Sequence, residues 1–151
     1  IILFNYSDIC FQNNNLEKAK EILLKILTIN SKNMKALQNL AFILQKQSLF
    51  EESEKYHLIA FNLDPSEQNY TALSASYLSQ GMNKKAENLL LRGLDKFKGS
   101  RGITNNLMLT YSRIGKSAER IILESKLYGL IEFNITNKLG NFKVRKENDN
   151  P

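Results

Sequence analysis

The side chains able to do chemistry are few. His57 is the single histidine and Cys10 the single cysteine. A lone cysteine forms neither an intramolecular disulfide nor a thiolate metal cluster, and one histidine excludes two-histidine metal ligation. Cys10 and His57 fall in different packing layers of the helical pattern, so they are not expected to form a nucleophile–base pair. Each sits at an apolar helical position, where burial is the expected role. Glu51, Glu52 and Glu54 form the densest acidic cluster. They suit the first turn of a helix, where carboxylates complement the dipole, better than a pair of catalytic acids facing across a cleft. The chain has neither a phosphate-cradling glycine loop nor a glycine-rich dinucleotide turn. The expectation is a protein that is not an enzyme and needs no cofactor and no metal.

The net charge is +6, and it is unevenly spread. Residues 1–65 balance seven Lys against seven acids, whereas residues 84–120 carry nine Lys and Arg against Glu87, Asp95 and Glu119. Such a segment could attract nucleic acid or acidic lipid. No aromatic ladder is interleaved with it, and its members fall on different helix edges. A solvated face is therefore expected, and nucleic acid is not the expected partner. Apolar runs such as Leu89-Leu90-Leu91 are far too short to span a membrane, so membrane association would have to come from an upstream anchor. The chain begins Ile1-Ile2-Leu3 without Met, and a fragment or processed chain is expected. Cytoplasmic and periplasmic envelope locations both fit, and self-association is left open.

These residues must be held by helices. With 2 prolines and 7 glycines, the chain is too poor in turn residues for an all-β fold. Three segments superpose: Leu16-Glu17-Lys18-Ala19, Phe50-Glu51-Glu52-Ser53 and Asn83-Lys84-Lys85-Ala86. Their small residues Ala19, Ser53 and Ala86 lie 34 and 33 residues apart, the period of a helical-hairpin solenoid. Apolar residues recurring at three and four, as in Leu37, Leu40, Ala41 and Leu44, predict first helices (A) over 2–12, 34–46, 67–79 and 103–114. Second helices (B) are predicted over 16–29, 50–62, 84–96 and 117–128. Asn13-Asn14-Asn15, Gln47-Ser48, Gly81 and Gly115 break A from B, with Gly81 and Gly115 suited to positive φ. Asn30-Ser31, Asp64-Pro65 and Gly99-Ser100 separate the repeats. The small residue early in each helix B lets A and B cross closely. The expected architecture is all-α and sheet-free, with solenoid residues 1–133 in repeats of about 1–32, 33–65, 66–99 and 100–133. Residues 117–133 are expected to supply a cap through Ile121, Ile122, Leu127, Leu130 and Ile131. A polar, mobile tail is expected over 134–151.

The pattern resembles the tetratricopeptide family, which implies a right-handed superhelix that binds proteins. Helix A of the family reads aromatic, Leu, small, Tyr, as in Tyr70, Leu73, Ser74 and Tyr77. The second repeat reads Leu37, Leu40, Ala41 and Leu44, and the first Leu3, Tyr6, Ser7 and Cys10. Helix B reads Ser53, His57 and Ala60, then Ala86, Leu90 and Gly93. Pro65 matches the family's closing proline. The fourth unit keeps Leu107, Tyr111 and Gly115, but Arg120 stands where the small residue belongs unless Ala118 takes its place.

The resemblance implies that helix A of each repeat lines a concave groove. The residues so placed are Phe4, Asp8 and Phe11; Lys35, Gln38, Phe42 and Gln45; Gln68, Thr71, Ala75 and Leu78; and Asn105, Leu109 and Ser112. Phe4, Phe11, Phe42, Leu78 and Leu109 would form an apolar track for a helix or extended segment of a partner protein. Family members that grip acidic chaperone tails use Lys and Asn, then Asn, then Lys and Arg. Here Phe4 and Asp8 replace the first pair, Asn39 matches the second position, and Gln68 and Ala72 replace the third pair. Binding of a carboxylate tail is not expected.

Two finer resemblances point to assembly roles. The run from Asn105 to Gly115 is similar to helix A of accessory proteins of bacterial pilus and secretion assembly, including Tad-type pili. The stretch from Asp64 to Tyr70 falls where type III secretion translocator chaperones enter a third repeat, although a fourth repeat-like unit departs from that family. A third reading is a recognition domain appended to a larger enzyme.

Overall fold

The computed structural model describes residues 2–117, 119–120, 122–123, 131–133 and 142–144, with side chains described from residue 7 to 123 within these ranges. Among the described residues seven helices with defined bounds set the architecture: α1 Ile2–Gln12, α2 Leu16–Ile29, α3 Met34–Lys46, α4 Phe50–Leu63, α5 Glu67–Ser79, α6 Asn83–Lys96 and α7 Arg101–Arg113. Each packs on the next in sequence, and α5 also packs directly on α7. The seven follow the expected boundaries closely. The largest shift is at α7, which starts at Arg101 because Ser100 caps it, its Oγ accepting from Ile103 N at 3.1 Å. Asn15 and Asn33 cap α2 and α3 in the same way, accepting from Lys18 N and Ala36 N at 3.1 Å.

The four A-to-B turns share one geometry. Asn14, Ser48, Gly81 and Gly115 all have positive φ, at 57°, 60°, 71° and 77°. The next residue's N–H returns to the carbonyl five positions back: Asn15 to Cys10, Leu49 to Leu44, Met82 to Tyr77 and Lys116 to Tyr111, at 2.8–2.9 Å. This closing bond satisfies a carbonyl that the helix end would otherwise leave open.

Two cores form. One draws on α1, α2 and α3 through Cys10, Leu23, Ile26, Leu40 and Leu44; the other draws on α5, α6 and α7 through Tyr70, Leu73, Leu90, Ile103 and Leu107. Helix α4 joins them with a mixed face, burying Ser53, His57 and Ala60. Ala19, Ser53 and Ala86 are all fully buried, as expected of close A–B crossings. Tyr70 meets Phe61 edge-on at 4.8 Å and Phe97 at 5.8 Å, an aromatic joint linking α4, α5 and the residue that caps the end of α6. Asn69 is a polar joint between repeats, accepting from Gln38 Nε2 and donating to Asp64 O at 2.8 and 2.7 Å.

The end of the chain departs from expectation. Residues 117, 119–120 and 122–123 are helical, Leu123 packs on the second core, and Arg120 is exposed, so it does not replace the small packing residue. Ala118, Ile121, Leu127 and Leu130 lie outside the described residues. Ile131 does not extend a capping helix. It opens β1 Ile131–Phe133, which pairs antiparallel with β2 Phe142–Val144, Ile131 opposite Val144 and Phe133 opposite Phe142. The expectation of no sheet fails there, because β-branched and aromatic residues alternating with Glu132 and Lys143 favour strands.

Candidate partner-binding groove

Helices α1 and α3 enclose a cavity of about 250 Å³ lined by Ser7, Asp8, Phe11, Leu23, Asn39, Phe42 and Ile43. Helical spacing makes it: Asp8 and Phe11 lie one turn apart on α1, as do Asn39 and Phe42 on α3. The Phe11 and Phe42 rings meet at 5.7 Å with a 53° tilt. Both stay open to solvent, at 37% and 45% exposure. Lys46, one turn beyond Phe42, places its ammonium 5.3 Å from that ring's centre. Asp8 and Asn39 are half-buried. An apolar cavity edged by a carboxylate and an amide can take an apolar side chain and fix the polar groups beside it. Its volume lies below the ~300–1,000 Å³ typical of small-molecule sites.

The expected groove residues divide. Asp8, Phe11 and Phe42 come together in this cavity. Lys35, Gln68, Asn105, Ser112 and Leu109 are exposed, Leu109 to 46%. Gln45, Thr71 and Ala75 are half-buried. Gln38 is half-buried and committed to Asn69. Phe4 lies on α1, but its side chain is outside the described residues. Leu78 is a correction: it is 4% exposed and belongs to the second core with Leu107 and Tyr111 of α7. Direct packing of α5 on α7 covers it, and Arg113 donates across that contact to the Leu78 carbonyl. The apolar track is therefore not continuous; α5 separates Leu109 from the Phe11–Phe42 pair without offering an exposed apolar anchor. Lys46 was missed, although its four-residue spacing from Phe42 signals it. Leu23 and Ile43 are core residues, buried at 1% and 2% exposure, and they also floor the cavity.

The remaining candidates for chemistry serve the fold. Cys10 is buried at 6% exposure. His57 is equally buried, and burial pushes its pKa down to about 4. Among the described residues no group of three or more His, Cys, Asp or Glu could hold a metal ion. No described helix is long and apolar enough to cross a membrane. Part of the basic excess is spent within the chain: Lys116 donates to Glu87 at 2.6 Å, and Lys96 to the Pro65 carbonyl at 2.9 Å. The bond to Glu87 raises the Lys116 pKa.

The tetratricopeptide repeat model matches residues 2–33, the first hairpin. The chain folds as a tetratricopeptide-type helical solenoid. Beyond that hairpin, its fold is shared with solved tetratricopeptide proteins at low identity. MamA from Desulfovibrio magneticus RS-1 aligns at 13% identity and a TM-score of 0.75, covering 85% of this chain and 73% of that one. YrrB, a tetratricopeptide protein with an unusual peptide-binding site, aligns at 15% and 0.70, covering 85% of this solenoid and 67% of YrrB. The first tetratricopeptide domain of Spaghetti (RPAP3), bound to the HSP90 peptide SRMEEVD, aligns at 16% and 0.67, covering 76% and 91%. No curated protein matches the solenoid in sequence.

Proposed function

We propose that this solenoid is a non-enzymatic protein-interaction scaffold that holds a segment of a partner protein on the concave face formed by its A helices. The observation carrying this reading is the exposed Phe11–Phe42 pair beside a cavity that packing leaves unfilled. Folded chains seldom leave two aromatic rings together on a surface unless something covers them. Peptide binding by YrrB and by the Spaghetti domain supports a peptide as the occupant. Within this reading, the similarity of the α7 run from Asn105 to Gly115 to pilus and secretion accessory proteins favours an assembly factor.

The test is selection of a random displayed-peptide library on the wild-type protein and on Phe11→Ala and Phe42→Ala. Peptides enriched on wild type and lost on both variants are expected, with unchanged circular dichroism. Enrichment that survives both substitutions would remove this cavity as the site.

A further inference from the structure

We infer that the Phe11–Phe42 cavity selects an apolar side chain that carries a cationic neighbour on its Asp8 side, and that it discriminates against an acidic neighbour there. This rests on the groove reading above and specifies its ligand. Among the described residues Asp8 is the one charged residue lining the cavity; the other described walls are aromatic, aliphatic, hydroxyl and amide. No ion pair within the chain engages Asp8 among the described residues. A half-buried carboxylate next to an apolar floor is desolvated further when a partner covers it. That cost is met by a lysine or arginine and worsened by a second carboxylate.

The neighbouring charges fix where this preference acts. Asp8 lies one turn before Phe11 on α1, whereas Lys46 lies one turn after Phe42 on α3. Because alternate helices of a hairpin solenoid run parallel, the aspartate and lysine occupy opposite ends of the ring pair. At ~1.5 Å rise per residue, the seven residues of combined offset separate them by about 10 Å along the helix direction. Lys46 sits over the Phe42 ring and does not line the cavity. Lys35 lies two turns before Phe42 and is likewise outside the lining. A cation on the Asp8 side of the anchored side chain therefore meets the carboxylate, whereas one on the other side faces Lys46.

Two N-acetylated, amidated peptides provide the test, Leu-Lys-Phe-Lys-Leu and Leu-Glu-Phe-Glu-Leu within otherwise identical glycine–serine ends, titrated by fluorescence anisotropy. Wild type is expected to bind the lysine peptide about tenfold more tightly than the glutamate peptide, and SRMEEVD no better than the latter. Asp8→Asn should remove the preference and Asp8→Lys reverse it, while Phe42→Ala should abolish binding of both peptides. Equal binding of both peptides by wild type, or a lysine preference that persists in Asp8→Asn, overturns the charge inference and leaves the groove intact. Failure of wild type to bind either peptide, or binding unaffected by Phe42→Ala, overturns the groove reading and this inference with it.

Discussion

The Ser53 hydroxyl donates a 2.8 Å hydrogen bond to the Ala41 carbonyl, a side chain of α4 reaching the backbone of α3 where the two helices cross. Ser53 is fully buried, so no space remains there for a larger group. Ser53→Leu is expected to cost about 1–3 kcal/mol by overpacking, and Ala86→Leu at the equivalent crossing of α5 and α6 about the same. Ser53→Ala removes only the hydrogen bond and should cost about 1 kcal/mol. Urea melts of the three variants check this; a Ser53→Leu melt superposing on wild type contradicts the crossing geometry.

Gly93 supports the aromatic joint from below. A Cβ there would stand 2.7 Å from Tyr70 Cδ1 and 3.1 Å from Ile103 Cδ1. Alanine normally stabilises a helix interior by about 1 kcal/mol over glycine. Gly93→Ala should nevertheless destabilise by about 1–3 kcal/mol, because Tyr70 is wedged between Phe61 and Phe97 and has little room to yield. Thermal unfolding reads the sign directly, and a gain in stability would show that the ring moves freely.

Phe42 and Leu78 occupy the A-helix face expected to line the groove, yet they should respond differently. Leu78→Ala empties part of a core and should cost about 2–5 kcal/mol. Phe42→Ala removes a ring that is 45% exposed and should cost about 1 kcal/mol or less. Denaturant melts of both proteins make the comparison. Similar losses would mean that Phe42 belongs to the core and the cavity is not a free surface.

His57 makes stability depend on pH. Burial holds its folded pKa at about 4, below the ordinary 6.5, so folding favours the neutral ring. Below pH 6.5 the unfolded chain takes up the proton first. Stability from this group is therefore fully present above pH 6.5 and declines as pH falls toward 4, by roughly 3 kcal/mol in all. Urea melts of wild type and His57→Leu at a series of pH values between 7 and 4 isolate it. The wild type should lose stability over this range more steeply than the variant, and parallel slopes would exclude the histidine as the cause.

Much of the fold was legible from local patterns. The three-and-four spacing of Leu37, Leu40, Ala41 and Leu44 marked a helix, and all four side chains are buried. Gly81 and Gly115 marked turns that carry positive φ, while Asn14 and Ser48 adopt the same geometry without glycine. The C-terminal strands escaped because Ile131 and Phe133 are apolar at a spacing that a short helix end also permits. Their pairing with Phe142–Val144 is a non-local contact. Of the site, Asp8, Phe11 and Phe42 were legible because the repeat register places them on one face of adjacent A helices.

The sequence by itself determined the hairpin repeat, its close crossings and its turns. Helix periodicity, capping and chain reversal depend on residues within a few positions of one another. Tertiary structure alone decided which groove positions remain open. Phe11 and Leu78 stand at corresponding places near the ends of their helices, yet one is 37% exposed and the other 4%. The difference arises because α5 packs directly on α7 and covers Leu78, whereas α1 and α3 meet through the Phe11 and Phe42 rings and leave a cavity beside them. How closely two parallel A helices approach depends on the side chains of both and of the B helix behind them. The pattern along a single helix does not contain that distance.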